Sequence, residues 1–224
     1  MKTDLKRRLL EIAHERQTKT DPSHDVNHVI RVLNLAEKIA MSVNADLDIV
    51  LAAACFHDVI VYPKNSPQSK TETDESAELA GSLLRELDGY PIEKIEKVQM
   101  AIRQCSYSKG IIPDLLEAKV LQDADRLEAT GAISIMRTFS SGGQMNRPFY
   151  RPEDPFCENG EPVPHGSGLD LFYRRLLLVE KGMHTDFARK IAKRRTEFLH
   201  TFLNELRTEL DESGIVINKS NLPL

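Results

Sequence analysis

Ala52-Ala53-Ala54-Cys55-Phe56-His57-Asp58-Val59 runs from small and apolar residues straight into an adjacent imidazole and carboxylate. The stretch from Leu47 onward is apolar on nearly all sides, the pattern of a helix buried at the centre of a bundle. Burying a His-Asp pair at its end is costly unless something compensates both groups. A divalent cation would, because imidazole nitrogen and carboxylate oxygen both suit Mn, Fe, Ni, Co, Zn or Mg. Taken alone, His57-Asp58 reads more simply as the solvated end of a helix. The reading changes only if further ligands lie upstream and downstream.

Helical periodicity extends over most of the chain. It predicts helices over Leu5–Gln17, Val26–Met41 and Leu47–His57. Pro22 breaks the chain between the first two. Val59-Ile60-Val61-Tyr62 looks β-like, and Lys64 to Thr73 reads as a loop. Asp74 is the expected cap of a helix ending at Leu87, and Pro91 starts another reaching Cys105. Further helices are expected over Leu115–Ala129, Ala132–Phe139, Leu169–Lys181 and Asp186–Leu210, the last capped by Thr185. Ser140 to Gly168 is the least regular stretch and reads as an ordered excursion, not a linker. The expectation is an all-α chain forming one domain over residues 1–224, with a core from about 23 to 210 and a tail over 211–224.

With 224 residues and 41% hydrophobic content, the chain suffices for one compact domain or two small ones. A formal net charge of -4 argues against a nucleic-acid surface. Trp is absent and Tyr and Phe are scattered, so no stacking platform for bases is evident. No apolar run approaches a membrane span, and the charged Met1–Arg8 start leads into no signal-peptide core. Three widely spaced cysteines, Cys55, Cys105 and Cys157, give neither a disulfide framework nor a zinc pattern. A reducing cytoplasm fits this composition.

Two other segments carry ligand-type side chains. In His24-Asp25-Val26-Asn27-His28, Pro22 and Ser23 put His24 before the helix, so His28 is the better ligand candidate. In Leu121-Gln122-Asp123-Ala124-Asp125-Arg126-Leu127, Asp125 sits beside the Leu121, Ala124, Leu127 stripe, and Asp123 lies on a different side. Each alone has an ordinary alternative: a core histidine with a backbone partner, or an acid paired with Arg126.

The order of His, then His-Asp, then Asp on separate helices resembles the HD-domain superfamily of metal-dependent phosphohydrolases. The segments His28-Val29-Ile30-Arg31-Val32, Ala54 to Val59 and Gln122 to Ala129, with Thr130-Gly131-Ala132, look most like its YedJ/YpgQ-like bacterial subgroup. The resemblance implies an all-α HD-type bundle with His28, His57, Asp58 and Asp125 as ligands of one divalent metal. It implies a metal-activated water attacking phosphorus in a small phosphorylated substrate, a nucleotide by subgroup, extending to a (deoxy)nucleoside triphosphate cleaved to monophosphate and pyrophosphate. Glu72 and Glu75 are candidates to take the proton, with Asp123 as an alternative. Asp123 is also the second-ranked acidic ligand. Arg31 and Lys64 are the first candidates to meet phosphate, and Arg103, Lys109 and Arg126 are others. His24 either supports the ligands from behind or faces the substrate in this reading.

Two positions depart from the subgroup: Cys105 and Leu171 stand where His is common. They leave room for an alternative, a non-catalytic HD-like module that binds metal or nucleotide. The Ser140 to Gly168 excursion is compatible with a lid over the site or with a homo-oligomer contact.

Overall fold

The computed structural model describes residues 2–16, 25–62 and 66–214. His24 and Lys64 lie outside them, as do residues 215–224 of the expected tail. Among the described residues the regular structure is helical, with no strand. The helices are α1 (Lys2–Arg16), α2 (Val26–Val43), α3 (Leu47–Phe56), α4 (Glu72–Glu86), α5 (Ile95–Gln104), α6 (Leu116–Leu127), α7 (Ala132–Gln144), α8 (Gly168–Arg174) and α9 (Asp186–Glu212).

The chain forms two compact units, Met1–Arg126 with His184–Ala188, and Leu127–Met183 with Arg189–Leu224. In the first, α3 packs against α1, α2, α4 and α5. Its residues from Ile49 to Phe56 are all buried, and Ala52, Ala53 and Ala54 are fully so. Three successive alanines keep the helix narrow, so neighbours on every side close around it. Its N-terminus is held by charge. Asp46 caps it by accepting from the Asp48 N–H at 3.0 Å, and Lys94 bridges Asp46 and Asp48 at 2.8 and 2.6 Å.

Several expected boundaries move. Val59 to Tyr62 is not a strand: Ser76 Oγ accepts from Ile60 N–H and donates to Ile60 C=O, serving the backbone that a neighbouring strand would otherwise serve. The expected loop contains a 3-10 turn at Pro67–Lys70, and α4 then starts at Glu72. Asp74 is therefore in its first turn, with Glu72 and Glu75, rather than at its cap.

In the second unit α7 continues through Gly142 and Gly143 to Gln144. The helix expected over 169–181 stops at Arg174; Arg175 leaves helical geometry at φ -138°, and two 3-10 turns follow. Phe156, Leu169, Phe172, Leu176, Leu199, Leu203 and Leu210 form its buried core. The excursion is ordered around Asp170, which accepts from Val163 N–H at 2.7 Å, Ser167 N–H at 2.9 Å and Ser167 Oγ at 2.7 Å. Arg151 Nε adds an ion pair at 3.2 Å.

Candidate metal site

His28 enters on the first turn of α2. Its N–H donates to the capping Asp25 carboxylate at 2.9 Å, which fixes where the helix begins and which residue turns inward. Burial raises the Asp25 carboxyl, but the Asn27 and His28 hydrogen bonds and the Arg31 charge bring it below its ordinary range. The His28 side chain is fully buried. His57 closes α3 from the opposite direction. Its ring Nδ1 lies 2.9 Å from the Ala54 carbonyl oxygen, which can only accept, so Nδ1 carries the proton. That leaves the Nε2 lone pair directed inward, buried and without a hydrogen bond among the described residues.

Around it the acids gather. Asp58 Oδ2 is 3.5 Å from both His57 Nε2 and His28 Nε2, and Asp125 Oδ1 is 3.6 Å from His28 Nε2. The imidazole centroids are 5.5 Å apart. Hydrogen bonds between such atoms run to about 3.2 Å, so these contacts are too long for hydrogen bonds. Atoms sharing an ion with bonds of about 2.1 Å stand roughly 3–3.5 Å apart, which these separations match. His28, His57 and Asp125 each offer a ligand atom within 4.8 Å of the others. Asp58 is not part of that mutual set, yet its Oδ2 lies 3.5 Å from each imidazole Nε2. The donor set fits a divalent cation: two neutral nitrogens, two anionic oxygens, and carboxylates that remain 26% and 35% exposed. Of the four side chains expected from the sequence, the fold gathers His28, His57 and Asp125 in one set and places Asp58 Oδ2 3.5 Å from each imidazole.

The HD domain family model matches residues 25–130, the span from the α2 cap to just past Asp125. YpgQ of Bacillus subtilis (strain 168), an uncharacterized protein, is 32% identical over 199 residues, covering 85% of this chain and 87% of that one. The chain belongs to the HD domain family.

Solved HD relatives share the architecture. A crystal structure of an HD-superfamily hydrolase from Bacillus thuringiensis matches with a TM-score of 0.72 at 27% identity, over 94% of this chain and 99% of that one. The crystal structure of Bacillus subtilis YpgQ in complex with ADP matches with a TM-score of 0.70 at 27% identity, over 93% and 96%. No helix among the described residues is long and apolar enough to cross a membrane.

The other candidates of this HD chain have different surroundings. Asp123 is fully buried and faces the start of α9. Its Oδ1 accepts from His184 N–H at 2.8 Å, and its Oδ2 from Thr185 N–H at 2.8 Å and Thr185 Oγ1 at 2.7 Å. Both oxygens are thus committed to the helix terminus, which corrects the reading of Asp123 as a free proton acceptor or a spare ligand. Gln122, missed as a functional residue, joins the same lock: its Oε1 accepts from His184 Nε2 at 2.7 Å.

Glu75 stands on the first turn of α4. Its carboxylate accepts from Thr71 Oγ1 and Tyr62 Oη, both at 2.6 Å, which holds it below the ordinary glutamate range. Glu72 accepts a long 3.4 Å bond from Tyr62 N–H. Neither belongs to the His28, His57, Asp125 set. Arg103 pairs with Glu78, and Lys109 with Thr73 and the Lys70 carbonyl. Cys105 is buried, and its thiol is pushed well up by burial and by the Asp125 and Asp58 carboxylates, so it borders the site as a neutral group. Leu171 packs against the core of the second unit.

Proposed function

We propose that this protein is a metal-dependent phosphohydrolase acting on a small phosphorylated metabolite, a nucleotide, with (deoxy)nucleoside triphosphates as the class to test first. The observation that carries the reading is the buried His57 Nε2, its tautomer fixed by Ala54, facing Asp58 beside His28 and Asp125. Membership of the HD family supports it, and the ADP complex of the YpgQ relative supports nucleotides in particular.

His28, His57, Asp58 and Asp125 would hold one divalent ion, drawn from Mn, Mg, Fe, Ni, Co or Zn. Bound there, it would make a water in the site markedly more acidic and would polarise a phosphoryl oxygen. The chain's own residues supply the rest. Ala54 orients His57 through Nδ1 and keeps Nε2 unprotonated. Glu72 and Glu75, on the first turn of α4, are the groups assigned to take the proton, although the Thr71 and Tyr62 hydrogen bonds hold Glu75 below its ordinary range and so make it a weaker base than a free glutamate. Asp123 acts through α6, as the positioning residue that ties the segment carrying Asp125 to His184 and Thr185. Arg31, three residues after His28, offers a cation to the phosphate, with Lys64 and His24 as further contacts.

The test is a stripped protein reloaded with Mn or Mg and offered a nucleotide panel. Release of phosphate or pyrophosphate is expected, and His57→Ala and Asp58→Ala should each reduce it to background while the melting curve stays cooperative. Unchanged turnover in either variant defeats the assignment. Tight nucleotide binding without turnover in the parent would make the chain a binding module instead.

A further inference from the structure

No cluster of aromatic residues stands out in the sequence, but the fold singles out one ring. After α5, Cys105 and Ser106 lead into a 3-10 turn at Tyr107–Lys109, closed by Gly110 at φ 71°, where a residue without Cβ is favoured. The turn is pinned on its far side, because Lys109 Nζ donates to the Lys70 carbonyl at 2.8 Å and to Thr73 Oγ1 at the start of α4. On its near side the Arg126 guanidinium carbon lies 3.6 Å from the Tyr107 ring centroid, well inside cation–π range. Arg126 is only 4% exposed, whereas Tyr107 is 49% exposed. One face of the ring is therefore covered by a buried cation, and the accessible area belongs to the other face and the edge.

This ring borders the candidate metal site, because Arg126, the residue beneath it, directly follows Asp125 in the chain. An isolated exposed aromatic carries no message. An exposed aromatic held from beneath by the residue next to a candidate ligand, Asp125, is a preformed surface for a flat partner, since little side-chain freedom remains to be lost on binding.

We propose that Tyr107 is the platform on which the base of the nucleotide stacks, with Arg126 fixing the ring from behind while the phosphates turn toward His28, His57, Asp58 and Asp125. The proposal rests on the nucleotide reading above. It makes Tyr107 a specificity residue for the presence of a base rather than for its identity, because every base offers a π-face.

Calorimetry on the full-length, Mn-loaded protein separates the contributions, using ADP and inorganic pyrophosphate as probes that share a diphosphate. The parent should bind ADP more tightly than pyrophosphate. Stacking on an aromatic ring is worth about 1–3 kcal/mol per base, so Tyr107→Ala should weaken ADP roughly 5- to 150-fold. Pyrophosphate should shift less than twofold, and Tyr107→Phe should restore ADP binding to within twofold. Equal weakening of both probes would mean a structural role and overturn the proposal. So would unchanged ADP binding in Tyr107→Ala, or a parent that does not prefer ADP. A parent that binds pyrophosphate but not ADP removes the platform and the nucleotide, leaving a phosphohydrolase of other substrates. A parent that binds neither probe removes the proposed function itself.

Discussion

Asp170 and His57 are both almost wholly buried polar groups, 1% and 2% exposed, but their surroundings differ. Asp170 collects donors from Val163, Ser167 and Arg151, together with the Cys157 thiol at 3.5 Å, and the irregular stretch before it is folded around that carboxylate. His57 uses one ring nitrogen on its own helix and leaves the other without a hydrogen bond among the described residues, 3.5 Å from a carboxylate. A buried polar atom without a partner costs about 1–3 kcal/mol. The Asp170 cluster avoids that cost within the chain and is architecture. Among the described residues nothing meets the His57 nitrogen, so a ligand would recover that cost and stability there is coupled to what binds.

Neighbouring acids on α6 give the sharpest form of this contrast. Asp123→Ala leaves His184 N–H, Thr185 N–H and the Thr185 hydroxyl without their acceptor, so urea unfolding of the metal-free protein should show a loss of about 3 kcal/mol. Asp125→Asn, two residues on, should leave the metal-free protein within about 0.5 kcal/mol of the parent, as for substitutions outside a satisfied network, while removing turnover. Equal destabilisation by both would erase the distinction.

A smaller effect tests the architecture side. The Asp170 carboxyl would be raised by burial, yet hydrogen bonds from Ser167, Val163 and Arg151 bring it from 3.8 down to about 2. A depressed carboxyl stabilises the fold above its unfolded pKa, and that contribution is lost as pH falls through the folded value. The window is therefore between roughly pH 4 and 2. Asp170→Asn should cost about 2 kcal/mol at pH 7 and flatten the acid limb of the stability profile. A parent and variant that lose stability in parallel from pH 4 to 2 would contradict this.

Smallest is Gly168→Ala, at the start of α8. A Cβ there would meet Phe139 Cε1 at 2.7 Å and the Phe149 carbonyl oxygen at 3.1 Å. Overpacking of this kind should cost about 1–2 kcal/mol, read as a lower urea midpoint with an unchanged slope. Since the Phe139 ring can rotate away more easily than backbone can move, a neutral result would show that the second unit's core yields.

What the sequence reveals divides along the same line. The all-round apolar α3 and the one-sided α2 are intrinsic to their own residues, so the bundle and the inward-facing His28 and His57 were legible. Asp125 was legible because Leu121, Ala124 and Leu127 mark the buried stripe beside it. The role of Asp123 was not, because its partners His184 and Thr185 lie some sixty residues away and no local pattern announces them. Val59 to Tyr62 misled for the same reason: a single distant hydroxyl, Ser76 Oγ, takes the place of a paired strand. Tyr107 was invisible as a platform because a lone tyrosine becomes one only when Arg126 is folded beneath it.

The most direct measurement is metal stoichiometry by elemental analysis after stripping, reloading and desalting, run on the parent and on His57→Ala. One equivalent of divalent metal per chain in the parent and almost none in the variant is the predicted result. A parent that retains no metal, or a variant that holds a full equivalent, would contradict the claim that these four side chains converge to grip one ion.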